Sequence, residues 1–324
     1  MTKSMKAIRI HKYGGPDVLT YEDAPRPEPK EDELLVCVHA AGVNPADWQI
    51  RSGKRSVLEE PLSLILGFDV SGVVEEVGNS VTHFKVGDAV YGLSGIGKGG
   101  AYAEYVTCPA TDVAPRPASL DHVHAAAMPV VALTAWQALF DTANLSAGQT
   151  VLIHAAAGGV GHIAVQLAKW KGARVIGTAS ASNEDFLRNI GVDEFINYRT
   201  TRFEDVVRDV DVVLDLVVRD ADEGTDALAA ETLERSWSVL KEGGVLVSIC
   251  ATPSAETAAA YGVRGRYVHV QPNAAQLTEI ARLVDDGHLQ PTIETVLPLR
   301  EARKAHELSQ RGHTRGKIVL RVVE

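Results

Sequence analysis

Ala156, Gly158 and Gly161 stand in the stretch HAAAGGVGHIAV at the spacing of a G-x-G-x-x-G pattern, with alanine in the first place. Small residues there let a backbone approach a pyrophosphate, whose charge rests on the free amides and positive end of the helix that follows. The pattern carries weight only between a strand and a helix. Val151 to Ile153 and Ala155 give an apolar strand, and Ile163, Ala164, Leu167 and Ala168 mark one face of a helix opening near Val160. A second apolar run, Arg174 to Gly177, follows Gly172, which sits where a helix end favours a left-handed residue. Such a strand, helix and strand are parallel with a right-handed crossover. Ala156, Gly158, Gly159, Val160 and Gly161 are therefore expected to hold a dinucleotide.

The end of the second strand selects among dinucleotides, because an acid about 20 residues beyond the glycines binds a ribose 2'-hydroxyl and repels a 2'-phosphate. This chain reads Gly177, Thr178, Ala179, Ser180, Ala181, Ser182, Asn183, with no acid. Ser180 offers a hydroxyl, and Tyr198 and Arg199 in INYRTTR add donors from the next strand end, with Arg202 close behind. NADPH is expected over NADH.

The surrounding elements form two kinds of texture. Residues 1 to about 124 carry short strand-like runs at Lys6 to His11, Leu34 to Ala40, Val70 to Val77, Ala89 to Tyr91 and Tyr102 to Val106, separated by Gly, Pro, Asn and Asp clusters. That spacing predicts a barrel-like domain. From His122 the stretch AAAMPVVALTAWQAL becomes apolar, with a helix expected around Thr134 to Phe140. Beyond the glycine turn, helices are expected near Glu184 to Ile190, Phe203 to Arg208 and Leu228 to Leu240, the last ended by Gly243 and Gly244. Strands alternate with them at Phe195 to Asn197, Val210 to Val217 and Val245 to Ile249. Alternation of this kind means a doubly wound parallel sheet. The tail adds a strand at Arg266 to Val270, a helix from Ala274 to Val284 and a closing strand from Gly316 to Val322.

The 324 residues allow about two domains, each with its own core. A formal charge of -10 and the lack of a basic cluster argue against a nucleic-acid or membrane-surface partner. Three widely spaced cysteines, Cys37, Cys108 and Cys250, argue against a disulfide framework. No apolar run approaches spanning length, and a cytoplasmic protein is the expectation.

Several segments in this order resemble the zinc-independent quinone oxidoreductase branch of the medium-chain dehydrogenase/reductase superfamily. They are AAGVNPADW at 40 to 48, GFDVSGVVEEVG at 67 to 78, VGDAVYG at 86 to 92, LTAWQAL at 133 to 139, HAAAGGVGHIAVQLAK at 154 to 169, INYR at 196 to 199 and RGKIVL at 315 to 320. The resemblance implies an α/β protein in which a GroES-like barrel, residues 1–124 and 272–324, is interrupted by a Rossmann domain, residues 125–271. It further implies an active site in the cleft between the two and a homodimer.

The resemblance also speaks to metal. Zinc-dependent relatives place a cysteine where this chain has Asn44, and Gly-His-Glu where it has Gly67, Phe68 and Asp69. A catalytic zinc takes three protein ligands and an open position, so no metal site is expected, and Asp69 alone makes none. Scattered histidines such as His11, His39, His83, His154 and His162 read as surface or packing residues.

Without a Lewis acid to polarise an alcohol or carbonyl, hydride transfer to an electron-poor acceptor remains: a quinone, or the β-carbon of an α,β-unsaturated carbonyl. By the family pattern, Asn44, Asp47, Gln49 and Arg51 belong on the catalytic side. Thr134, Ile249, Cys250, Ala251 and Lys317 join the fingerprint residues on the cofactor side. Asn44 and Asp47 read equally well as the turn chemistry of N-P-x-D. Many quinone reductases carry a tyrosine where Gln49 stands, which shifts weight toward enones, and relatives often carry a lysine where Asn183 stands, for which Arg199 or Arg202 compensates. An enoyl-thioester reductase or a non-enzymatic NADPH-binding sensor shares the same fold features.

Overall fold

The computed structural model describes residues 3–54, 63–94, 100–218 and 223–323. The chain forms two compact units, Met1–Val130 with Pro272–Gly287 and Pro291–Glu324, and Val131–Gln271 with His288–Gln290. The first unit begins with strands β1 (Ser4–Ile10), β2 (Thr20–Pro25), β3 (Glu33–Val43), β4 (Leu64–Ile65), β5 (Asp69–Val77), β6 (Ala89–Leu93), β7 (Tyr105–Pro109) and β8 (Val113–Pro115). The second holds β9 (Thr150–Ile153), β10 (Arg174–Ala179), β11 (Glu194–Asn197), β12 (Val210–Asp215), β13 (Leu240–Ser248) and β14 (Arg264–Tyr267). β15 (Ile293–Pro298) and β16 (Lys317–Arg321) return to the first.

In the first unit a seven-stranded sheet runs β15-β16-β3-β5-β6-β8, with β7 also on β3, beside a three-stranded sheet β2-β1-β4. The eleven residues of β3 are almost all buried, as a strand with neighbours on both edges requires. Two register shifts against β5, at Leu35/Val36 and Val38/Ala40, bend it. Val36, Val38, Val70, Val74, Val90, Val106, Ile318 and Leu320 fill the core. The run expected to begin a strand at Tyr102 does so only at Tyr105. Tyr102 itself is fully buried, its N–H on the Leu66 carbonyl, because its ring fills core space and its hydroxyl has a buried acceptor described below.

The second unit's six strands are parallel in the order β11-β10-β9-β12-β13-β14. Numbered from β9 this is 3-2-1-4-5-6, the doubly wound order whose ligand crevice lies beyond the carboxyl ends of the strands. The expected helix at Thr134 to Phe140 begins earlier, as α3 (Pro129–Trp136), after α1 (Pro45–Arg51) and α2 (His122–Ala126). Proline opens a helix without losing a bond, and α3 runs on into a π-helical turn, Gln137–Thr142. Gly243 and Gly244 do not close a helix. The helix Glu223–Ser236 gives way to a short turn, Trp237–Val239, whose buried Trp237 and Val239 carry the chain into β13 first. Gly243, at φ +75°, donates to the Gly262 carbonyl, and the β12–β13 register jumps from Val210↔Leu240 to Val212↔Val245. No helix among the described residues is long and apolar enough to cross a membrane.

Candidate active site

In the first unit, β3 runs directly into α1. Asn44 is extended at the junction and Pro45 starts the helix. Asp47, third in the helix, accepts the Asn44 N–H at Oδ2, 2.8 Å, which is the reciprocal half of a capping box. The same oxygen accepts the Tyr102 hydroxyl at 2.8 Å. The turn chemistry of N-P-x-D is therefore realised.

The Asn44 side chain reaches further. Its Nδ2 donates to Asp69 Oδ2 at 2.9 Å and its Oδ1 accepts from Lys317 Nζ at 2.6 Å. Lys317 also donates to Asp69 Oδ2 at 2.9 Å and to the Val43 carbonyl at 3.0 Å. The other carboxylate oxygen of Asp69 accepts the Val130 N–H at 2.6 Å. Asn44, Asp69 and Lys317 are 3%, 0% and 3% exposed, so an ion pair is held out of water and tied to an amide. Gly42 makes room for it: a Cβ there would lie 2.5 Å from Asp69 Oδ2 and 2.4 Å from the Ala126 carbonyl.

Burial pushes the Asp47 carboxyl up to about 7, against the opposing pull of the Asn44 N–H, the Tyr102 hydroxyl and Lys317. Its second oxygen has no partner among the described residues. Burial, then the Asp47 charge, raises the Tyr102 hydroxyl well above its ordinary value.

Arg51 belongs to another cluster. Its Nε donates to the Gly14 carbonyl at 3.2 Å, Nη2 to Gln310 Oε1 at 2.9 Å, and Nη1 lies 3.4 Å from His306 Nδ1. Burial, and then Arg51 itself, lowers His306 to about 3, so its neutral ring accepts the guanidinium. Arg51, expected beside the substrate, thus ties α1 to the helix Ala302–Arg311. Gln49 is half-buried, and its carbonyl accepts the Ser52 hydroxyl at 3.0 Å.

In the second unit, β9 ends in a turn that enters α4 (Gly159–Trp170). Ala155 adopts a left-handed conformation at φ +50° and Ala156 donates to the Thr178 carbonyl at 3.0 Å. The amides of a helix's first turn, here Gly159, Val160 and Gly161, have no carbonyl one turn back. A Cβ at Gly161 would meet the Ala155 carbonyl oxygen at 2.4 Å and Ala156 Cα at 2.7 Å, so this glycine sets helix against strand end. At Gly158 the nearest atom would be 3.3 Å away. The turn thus offers backbone donors flanked by no side chain larger than Val160, the cradle a pyrophosphate needs.

β10 and β11 pair in parallel with Ala179 beside Asn197, so Ser180 and Tyr198 leave the sheet side by side. The Ser180 hydroxyl lies 3.1 Å from both Ser182 Oγ and Asn183 Nδ2. Arg199 is exposed, touches only the Tyr198 hydroxyl with its side chain, at 3.4 Å, and has no carboxylate partner among the described residues. Arg202 is held at 2.7 Å by Glu204, which leaves Arg199 as the available guanidinium. After β13, Ser248 Oγ donates to Asp215 Oδ2 at 2.8 Å and accepts the N–H groups of Cys250 and Ala251 at 3.1 and 3.2 Å, fixing the Ile249 to Ala251 segment. Thr134 is buried on α3.

Lys317, expected on the cofactor side, gives its three N–H bonds to protein acceptors in the first unit, which leaves none for a phosphate. The partners that sequence reasoning missed are Asp69 and Tyr102. A signal existed: Asp69 opens, and Lys317 opens, strands whose next residues are uncharged and small or apolar, and a buried charge requires a partner. Among the described residues no group of three His, Cys, Asp or Glu side chains is arranged to hold a metal ion.

Residues 30–118 match the family described as "Alcohol dehydrogenase GroES-like domain", and residues 190–320 the family described as "Zinc-binding dehydrogenase". The chain is 34% identical over 331 residues to the chloroplastic quinone-oxidoreductase homolog of Spinacia oleracea, covering 98% of each. It is 33% identical over 329 residues to the chloroplastic NADPH-dependent alkenal/one oxidoreductase of Arabidopsis thaliana, over 98% of this chain and 80% of that one. The solved quinone oxidoreductase of Coxiella burnetii superposes with a TM-score of 0.91 at 38% identity, over 99% of this chain and all of that one.

Proposed function

The chain belongs to the zinc-independent quinone oxidoreductase branch of the medium-chain dehydrogenase/reductase superfamily, and from that premise we propose how its residues reduce a quinone or an α,β-unsaturated carbonyl with NADPH. Bound NADPH supplies the hydride. The turn at Ala156 to Gly161 and the first amides of α4 hold the pyrophosphate, and Ser180, Tyr198 and Arg199 receive the 2'-phosphate. Thr134 and the Ile249 to Ala251 segment complete the binding surface of that unit.

The acceptor class rests on one observation: the amide of Asn44, fixed by Asp69 and Lys317, stands in a buried polar cluster as a neutral hydrogen-bond donor. A donor of this kind stabilises oxyanion charge as it develops on an acceptor that is already electron-poor. Gln49 offers a second amide. It donates a hydrogen bond but cannot act as an acid, so solvent water completes the reduction.

The protein acts as a homodimer in the cytoplasm. Three free cysteines support a reducing compartment; sedimentation and cell fractionation test the two statements separately. The function is tested by following oxidation of NADPH and NADH against a panel of quinones, enones and enoyl thioesters. Turnover on quinones or enones with NADPH preferred is expected. Turnover confined to thioesters, or none at all with cofactor bound, overturns the acceptor assignment.

A further inference from the structure

We infer that Lys317 and Asp69 are positioning residues, which fix and polarise the Asn44 amide so that its one remaining N–H is offered to the oxygen of the acceptor. The inference rests on the reading above and deepens it.

The hydrogen bonds settle which way the amide points. With Oδ1 on the ammonium and Nδ2 on the carboxylate both contacts are attractive, and the flipped amide would set N–H against ammonium and oxygen against carboxylate. The donors can then be counted. Lys317 has three N–H groups, taken by Val43, Asn44 and Asp69. Asp69 accepts from Lys317 and Asn44 on one oxygen and from the Val130 N–H on the other. Of the two amide hydrogens on Asn44, one goes to Asp69, and the second has no acceptor among the described residues. The cluster therefore spends every side-chain hydrogen except one.

That hydrogen is also activated. A cation on the amide oxygen draws electron density from the nitrogen, an effect that a water-poor surrounding enlarges and that the carboxylate on the same nitrogen offsets only in part. Stability alone does not account for the arrangement, since a buried ion pair is often matched or exceeded by well-packed apolar residues. Its directional consequence is a rigid donor that needs no reorganisation during reaction.

The test is kinetic. Lys317→Met alone leaves Asp69 buried without its counter-charge and endangers folding, so the working variant is Lys317→Met with Asp69→Asn, which removes both charges. If that pair does not fold, Lys317→Gln with Asp69→Asn, which also removes both charges but keeps polar side chains in both places, takes its place. Thermal unfolding establishes the folded state, and kcat and KM are measured with NADPH and one enone. We expect kcat to fall about 10- to 100-fold, less than or at most equal to the roughly 100-fold lower end for outright loss of an oxyanion donor because the amide itself stays, with the KM for NADPH unchanged. Asn44→Ala should lower kcat by at least as much, and adding the charge-removing changes to Asn44→Ala should lower it no further, because the pair acts only through the amide. A purely structural ion pair would instead give losses that multiply, and that result overturns the inference. A folded variant with wild-type kcat also overturns it while Asn44→Ala remains slow, leaving the donor assignment intact. Wild-type kcat in Asn44→Ala removes the donor assignment itself and the inference with it.

Discussion

The first unit builds its polar centre from buried side chains, and the proposed phosphate cradle of the second is built from backbone. Asn44, Asp47, Asp69 and Lys317 are at most 3% exposed and hold one another at 2.6 to 2.9 Å. Ser180, Tyr198 and Arg199 reach solvent, and the turn beside them works through amides. Buried charges gain precision at the cost of tolerance, because removing one partner strands the other in a poor dielectric. A backbone cradle is indifferent to most side chains and fails only where a Cβ cannot fit.

The largest expected effect concerns Asp47, whose carboxyl is raised from 3.8 to about 7 by burial. The native state keeps a proton that the unfolded chain releases, so this stabilising contribution is complete below about pH 4 and is lost as pH rises through 7. It amounts to about 4 kcal/mol between those limits. Urea unfolding of wild type and Asp47→Asn across pH 4 to 8 should show the difference, with the asparagine variant the more stable at pH 8. Parallel pH profiles would mean that Asp47 is ionised in its buried site and the contrast between units is overstated.

Next comes Gly161→Val, for which the 2.4 Å approach to the Ala155 carbonyl predicts displacement of α4 from the strand end. NADPH binding should weaken about a hundredfold or more, roughly 2.8 kcal/mol, in fluorescence titration of protein shown to be folded by circular dichroism. Gly158→Ala, with 3.3 Å available, should bind within a few-fold of wild type. Equal loss at both positions would remove the distinction between packing glycine and cradle glycine.

Gln49→Ala should lower turnover by up to about a hundredfold or more, the scale expected on losing one oxyanion donor, with NADPH affinity little changed. Gln49→Tyr should retain activity and shift it toward quinones. If both match the parent, Asn44 carries the oxyanion without Gln49. The smallest effect is at the exposed edge: Arg199→Ala should weaken NADPH about tenfold, near 1.4 kcal/mol, and leave NADH unchanged. Equal weakening of both cofactors would move Arg199 away from the 2'-phosphate.

What the sequence made legible follows the same division. The glycine turn, its flanking strands and the acid-free end of β10 are local features within about thirty residues, and each is recoverable from spacing. Asn44 and Asp47 were visible for a similar reason, three residues apart across a helix start. Asp69 and Lys317 lie 248 residues apart, Tyr102 lies 55 from Asp47, and Arg51 lies 255 from His306. No periodicity joins such positions; the family pattern places Lys317 toward the cofactor and Arg51 toward the substrate, and it says nothing of the first-unit partners these side chains hold. Gly243 and Gly244 misled differently: a glycine pair ends a helix or bulges a strand with equal local logic, and the buried Trp237 and Val239 decided the matter through tertiary packing.

In the proposed reduction, hydrogen-bond donors of this chain, and no metal, would stabilise the oxyanion while bound NADPH would supply the hydride. The most direct test is steady-state NADPH oxidation with an enone and a quinone before and after exhaustive chelation, alongside metal analysis of the active protein. Substoichiometric zinc and unchanged kcat are expected. A stoichiometric ion whose removal stops turnover, and whose return restores it, would contradict the proposal.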